Sequence, residues 1–259
     1  MQSVLCDNTD GGKAPRILLN DGHTMPVFGL GTFLGFDELG LNEQRHVLDA
    51  LRASLARLNT SYVDLYLIHN PVALKPDHSG FDVIDYVDTW RSMEEVKALG
   101  LAKSIGISNF NISQIDRLLK NCHIKPAVLQ VEVNLNLAQD KLIEHVKKEN
   151  IAVMAYTPFG RLFSNRPEPP PPRKDHPVLL EMANKYNKTT PQIVLRYLVQ
   201  RGVIPVPKTV HKERVEENID IFDFELTPEE MELLDDKYSF DTRYNILSVV
   251  NDISQRATE

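Results

Sequence analysis

Short apolar runs alternate with amphipathic stretches along most of this 259-residue chain. The runs are Val27–Phe33, Val63–His69, Ala102–Ser108, Ala127–Val133, Ile151–Tyr156 and Val203–Lys208. Each is short and mostly apolar, as a strand covered on both faces must be, so each is predicted to be a buried strand. Between them the spacing turns helical: Val47, Leu48, Leu51, Leu55 and Leu58 fall on one face of a helix. Thr190 and Pro191 are predicted as N-cap and first-turn proline of a later helix that stops at Gly202, after Arg201. Thr227, Pro228 and Glu230 read as the capping box of a last helix that reaches about Asp236. Ahead of all of these, Arg16 to Val27 reads as a short hairpin turning at Asn20, Asp21 and Gly22.

Strict strand–helix alternation predicts an α/β fold with parallel strands and right-handed crossovers, either an open doubly wound sheet or a barrel. Two features favour a (β/α)8 TIM-barrel type. The hairpin is placed to plug one end. Polar residues also collect at the C-terminal ends of the runs: His69, Ser108, Asn109, Gln130, Tyr156 and Lys208. In such a barrel that end is the active face. No GxGxxG occurs, so a Rossmann dinucleotide fingerprint is absent. The count is short, however. Six runs are visible, and a closed barrel of this type needs eight. Two further units would take about 60 residues, which no other stretch can supply.

The composition, 42% hydrophobic and 25% charged, is that of a globular protein, and the length suits one large α/β domain. A net charge of -7 argues against a nucleic-acid groove or an anionic membrane surface as partner, while leaving room for a local basic pocket. The N-terminus has no cationic start followed by an apolar run, and no apolar stretch is long enough for a membrane span. Cys6 and Cys122 stand far apart in sequence, which reads as two free thiols in a reducing compartment. A cytoplasmic location and no metal are the expectation.

The local patterns then become specific. VFGLGTF, YVDLYLIHNP, TWRSMEEVKALGLAKSIGISNF, VLQVEVN, AYTPFG and VIPVPKTVHKERVEEN follow one another in a fixed order and spacing. In these blocks, from about Arg16 to Asp236, the chain resembles the aldo-keto reductases. It is expected to be one barrel domain, with residues 1–15 and 237–259 as tails. Lys208 ends a strand, Thr209 opens the next turn, and Arg214 sits one turn into a helix beginning near His211. An ammonium, a hydroxyl, a guanidinium and a helix N-terminus suit a phosphate dianion. The bland alternative is a solvated, mixed-charge helix start, and the pattern alone leaves the two nearly even. The resemblance implies that Lys208, Thr209 and Arg214 grip the 2′-phosphate of NADPH, while Glu217 and Asn218 hold its adenine. It implies also that Tyr156 stacks on the nicotinamide and that Ser108, Asn109 and Gln130 meet its carboxamide. His69 matches the catalytic histidine that orients a substrate carbonyl. Asn70 follows it where many relatives have a pocket-lining tryptophan, so substrate preference should differ.

The same resemblance exposes a gap. Carbonyl reduction by hydride needs an acid for the forming alkoxide, and the family uses a Tyr whose pKa is lowered by a Lys paired with an Asp. Those three lie on units between the first strand and the LIH strand. Here GLGTF runs through LGFDELGLNEQR directly into HVLDALRASLARLNTSYVDLYLIH. Asp37 and Glu38 lie in the junction, Tyr62 precedes its strand on the wrong face, and Lys103 begins its strand instead of ending it. The expected function is therefore NADPH-dependent reduction of aldehydes or ketones, impaired in this form, or else non-catalytic cofactor or partner binding by a truncated product. The ending YSFDTRYNILSVVNDISQRATE departs from the family's proline- and aromatic-rich close. The tract Pro169–Pro172 before Arg173 reads as a stiff loop in preference to a polyproline ligand.

Overall fold

The structure is a computed structural model that describes residues 5–6, 12–32, 46–74, 80–160, 162–163 and 172–238. The junction at 33–45, the proline tract up to Pro171 and the chain's last 21 residues lie outside the described residues.

The predicted hairpin is present as β2 (Arg16–Leu18) paired antiparallel with β3 (Thr24–Pro26). The segment ahead of it, expected as a tail, adds a short outer strand, β1 (Leu5–Cys6). The parallel strands are β4 (Val63–Ile68), β7 (Ala102–Ser108), β8 (Val128–Glu132), β9 (Ala152–Tyr156) and β10 (Val203–Pro205). They lie side by side in the order β10-β9-β8-β7-β4. Around them run α1 (Val47–Leu58), α2 (Tyr86–Ala98), α3 (Ile112–Asn121), α4 (Asp140–Lys148), α5 (Pro177–Tyr186), α6 (Thr190–Gln200), α7 (Lys212–Ile219) and α8 (Pro228–Tyr238). A two-residue pairing of β5 (Ala73–Leu74) with β6 (Phe81–Asp82), unmarked in the sequence pattern, follows β4.

The first apolar run does not form a regular strand over its described residues, 27–32. It docks beside β10 all the same: Gly29 N–H donates to Pro205 O (3.1 Å) and Gly31 N–H to Pro207 O (2.9 Å). A Cβ on Gly31 would stand 2.9 Å from the Val206 carbonyl oxygen, so the approach depends on glycine. The sheet thus runs from this segment through β10, β9, β8 and β7 to β4, six staves in spatial order.

Two apolar layers sandwich the sheet, and strand parity assigns each side chain to one of them. Leu65, Leu67, Val128, Met154, Ile204 and Val206 face inward and meet the hairpin's Ile17, Leu19 and Met25. Ile68, Ile105, Ile107, Leu129, Val131 and Val153 face outward, against helix residues such as Trp90, Met93, Leu118 and Tyr197. The hairpin is latched as well as packed: Lys97 Nζ donates to the Asp21 carboxylate (2.7 Å), and Asn20 Nδ2 to Pro126 O (2.8 Å). It closes the end at which the strands begin.

β7, in the middle, is buried along nearly its whole length, whereas β4 is only half-buried at Val63, Leu65, Tyr66 and Leu67. Among the described residues β4 pairs only with β7, so its other edge has no strand beside it. The interior beside β4 is tight. A Cβ on Gly106 would lie 2.4 Å from Val128 O and 2.7 Å from Leu67 Cδ2. Gly106→Ala is therefore expected to cost about 1–3 kcal/mol through forced backbone movement, a fall of several degrees in Tm by calorimetry. An unchanged Tm would mean that β7 and β8 can separate freely at this point.

The helix ends follow their predicted chemistry with one correction. Thr227 N–H donates to Glu230 Oε2 (2.8 Å) and Glu230 N–H to Thr227 Oγ1 (3.3 Å), the two halves of a capping box for α8. For α6 the cap is Thr189, one residue before the position expected. Its backbone is extended (φ -90°, ψ 159°) and its N–H donates to Gln192 Oε1 (2.9 Å), so Thr190 is the first helical residue. Both threonines suit the role; the glutamine three residues beyond Thr189 decides between them.

Candidate active site

Parity that buries Leu67 inward carries His69 to the same side, at the C-terminal end of β4. The strand register sets Ser108 beside Gln130, which falls in the middle of β8 and not at its end, and sets Tyr156 two residues further along, opposite Glu132. Ile68 pairs with Ile107, Ser108 with Gln130, and Glu132 with Tyr156. The polar residues expected from three successive strands are thus neighbours.

Asn109 binds them together. Its N–H donates to Gln130 O (3.0 Å), and its side-chain nitrogen donates to His69 O (2.8 Å) and Ser108 Oγ (3.2 Å). The Tyr156 hydroxyl donates to its Oδ1 (2.9 Å). Asn109 and Ser108 are both buried, and Gln130 Nε2 lies 2.8 Å from Met154 Sδ. Asn109 adopts left-handed backbone (φ 64°), which asparagine tolerates better than most residues. Thr157, next to Tyr156, is also left-handed (φ 49°), a strained state for a β-branched residue. Its carbonyl is held by Asn134 Nδ2 (3.2 Å) and Gly160 N–H (2.9 Å). Strain of this kind persists only where the surroundings over-determine it, and here it sits at the rim of the polar cluster.

His69 shows surface to solvent yet is surrounded by protein mass, and the loss of solvation lowers its imidazole pKa below the ordinary 6.5. It is therefore neutral at neutral pH. The other titratable groups near β4 point elsewhere. Tyr66 packs into the outer layer, where burial raises its pKa. Lys103, at the start of β7, gives its ammonium to the Asp64 carboxylate (2.8 Å) and lies over the Tyr62 ring (4.1 Å). Neither one reaches the His69 end.

The second group of expected residues lies on the turn after β10 and on α7. Lys208 is exposed and forms a bridge with Gly31, and the hydroxyl of Thr209 accepts from His211 N–H (3.1 Å). α7 then starts at Lys212, with His211 as its N-cap and no side-chain bond to the cap. Arg214 is exposed within the first turn of α7, six residues after Lys208 in sequence. Uncapped N–H groups, an ammonium and a guanidinium form a donor set that fits a phosphate group. Farther along α7, Glu217 is half-buried and Asn218 is buried. The Thr189 hydroxyl donates to Glu217 Oε1 (2.5 Å), a contact that no pattern in the sequence signals. β10 lies next to β9, so the two groups share one end of the sheet.

Parallel strands wrapped by helices, a hairpin plug and a polar cluster at the strands' C-terminal ends define a TIM-barrel type of α/β fold. The profile described as Aldo/keto reductase family matches residues 40–239, and the chain belongs to that family. It is 52% identical over 186 residues to an aldo-keto reductase, AKR2E4, of Bombyx mori, a match covering 71% of this chain and 60% of that protein. The chain therefore spans about three-fifths of the length of that relative. With aldo-keto reductase family 1 member C18 of Rattus norvegicus it is 43% identical over 294 residues, covering 86% of this chain and 91% of the relative. That alignment is longer than the whole 259-residue chain, so the rat protein carries residues with no counterpart here. The crystal structure of Bombyx mori AKR2E4 in complex with NADP superposes with a TM-score of 0.85 at 38% identity, covering 92% of this chain and 97% of that one. No helix among the described residues is long and apolar enough to cross a membrane.

Proposed function

We propose that this chain is a single barrel domain that binds NADPH and handles small aldehydes or ketones, with the proton-donating part of the family's chemistry lost. The observation that carries the reading is the phosphate-fitting turn from Lys208 to Arg214, which opens onto an α7 N-terminus free of side-chain capping. Lys208, Thr209 and Arg214 would grip the 2′-phosphate, and Glu217 and Asn218 the adenine. The Tyr156 ring would cover one face of the nicotinamide, with Ser108, Asn109 and Gln130 at its carboxamide. The silkworm relative solved with NADP supports the choice of cofactor.

When bound, NADPH supplies a hydride to the carbonyl carbon. The chain's own contribution is orientation. Neutral His69 can donate one N–H to a carbonyl oxygen and polarise it, but a neutral imidazole is a weak source of the proton an alkoxide requires. The family's Asp, Tyr and Lys would stand on staves between the segment at 27–32 and β4, and in sequence only residues 33–62, which include α1, separate the two. Among the described residues no strand pairs with the outer edge of β4, which supports the view that two βα units are absent there. A second reading, a cofactor- or partner-binding protein without turnover, draws on the same open edge and on neutral His69. A cytoplasmic location belongs to the proposal.

Titration of the intact chain with NADPH, followed by cofactor fluorescence, tests the reading. Saturable binding near one cofactor per chain is expected. A folded chain with no saturable signal would defeat it.

A further inference from the structure

α7 is clamped to the start of α6 by contacts that leave one side chain to be aimed. Gln192 Nε2 donates to the carbonyls of Glu217 (3.0 Å) and Asp220 (2.9 Å), and Lys188 Nζ donates to the carboxylates of Asp220 (2.7 Å) and Asp223 (2.8 Å). These fix the backbone at the end of α7. The Glu217 carboxylate itself is held by a different contact, the Thr189 hydroxyl at 2.5 Å from Oε1. A hydroxyl has one proton to give, so this bond ties one oxygen of the carboxylate and leaves the other to accept from a ligand.

We infer that Thr189 is a positioning residue that turns Glu217 toward an amino-bearing purine and so sets the base selectivity of the cofactor site. The inference rests on the reading that Glu217 and Asn218 hold the adenine ring. Adenine presents an exocyclic amino group, a donor that a carboxylate accepts. Hypoxanthine presents a carbonyl oxygen at the same position, and two acceptors facing each other repel. Without the Thr189 hydroxyl the carboxylate is free to rotate into solvent, and the distinction fades. The α6 cap survives the loss in part, because the Thr189 bond to Gln192 is made by its backbone N–H.

The probes are NADPH and its hypoxanthine analogue, titrated against the wild-type chain and the variants Thr189→Val, Thr189→Gly and Thr189→Ser. Glycine is a tolerated N-cap, so Thr189→Gly keeps the test open should the valine variant not fold. The wild type is expected to prefer NADPH by about tenfold or more, the usual worth of a hydrogen bond to a charged group. In Thr189→Val and Thr189→Gly the preference should shrink to within about threefold, and Thr189→Ser should restore it. A purely structural role would lower Tm and weaken both ligands alike, leaving the ratio unchanged. Variants that keep the wild-type ratio overturn the inference. So does a wild type that binds both ligands equally, although NADPH binding itself then stands. A wild type that binds neither removes the cofactor reading along with it.

Discussion

Replacing Lys208 and Arg214 together with alanine is expected to weaken NADPH about a hundredfold or more while leaving NADH within about threefold. The two cofactors differ only at the 2′-phosphate, so a loss confined to NADPH reports on that group alone. Both side chains are exposed beside the start of α7 and contribute little to the core, so the fold should tolerate their removal. Each charge-assisted bond to the phosphate is worth about 1.5–3 kcal/mol, and the helix N-terminus keeps a remainder. The effect should also shrink as salt rises, because an exposed phosphate grip is screened. Titration of wild type and double variant with both nicotinamides measures it. Equal loss of the two cofactors would assign Lys208 and Arg214 some other role.

The second large effect concerns turnover. With saturating NADPH and a generic aldehyde, kcat is expected to fall about 10²–10⁴-fold below that of a full-length family member, the usual worth of a general acid. The residues present point the same way. His69 is held neutral by its surroundings, Tyr66 is packed into the outer layer, and Lys103 is paired with Asp64 at the far end of its strand. Tyr156 is at the right end, but its hydroxyl proton is given to Asn109. Tyr66→Phe should accordingly leave any residual rate unchanged. A wild-type kcat equal to that of the silkworm relative would show that some group in this chain delivers the proton, and the proposed loss of chemistry would be wrong.

How far the sequence carried these conclusions depends on the kind of interaction. The apolar run Val63–His69 predicted a strand, and the structure forms it and groups its Leu65 and Leu67 in the inner layer, because parity is a local property of extended backbone. The C-terminal ends of β7 and β9 were equally readable, since Ser108 and Tyr156 end apolar runs, whereas Gln130 sits in the middle of its run and of β8. The first run was less so. Residues 27–32 have a strand's composition but donate at Gly29 and Gly31 to Pro205 and Pro207 without forming a regular ladder, an outcome set by a partner nearly 180 residues away in sequence.

Contacts between distant side chains left no trace in the sequence. Asn109 gathers His69, Ser108, Gln130 and Tyr156 through a left-handed backbone that nothing in SIGISNF requires. The bond from Thr189 to Glu217 joins residues 28 apart, and the neighbouring Thr190 is an equally good cap by composition. The short pairing of β5 with β6 was invisible for a simpler reason: two residues are too few to show a period.

If the cofactor grip survives in six staves, NADPH must stabilise the folded chain. The direct measurement is thermal unfolding by circular dichroism, with and without NADPH at about a hundred times its Kd. Binding to the native state alone should add about 2.7 kcal/mol, a rise of several degrees in Tm, with a smaller rise for NADH. A cooperative melt whose midpoint is the same with and without NADPH would contradict the surviving phosphate site.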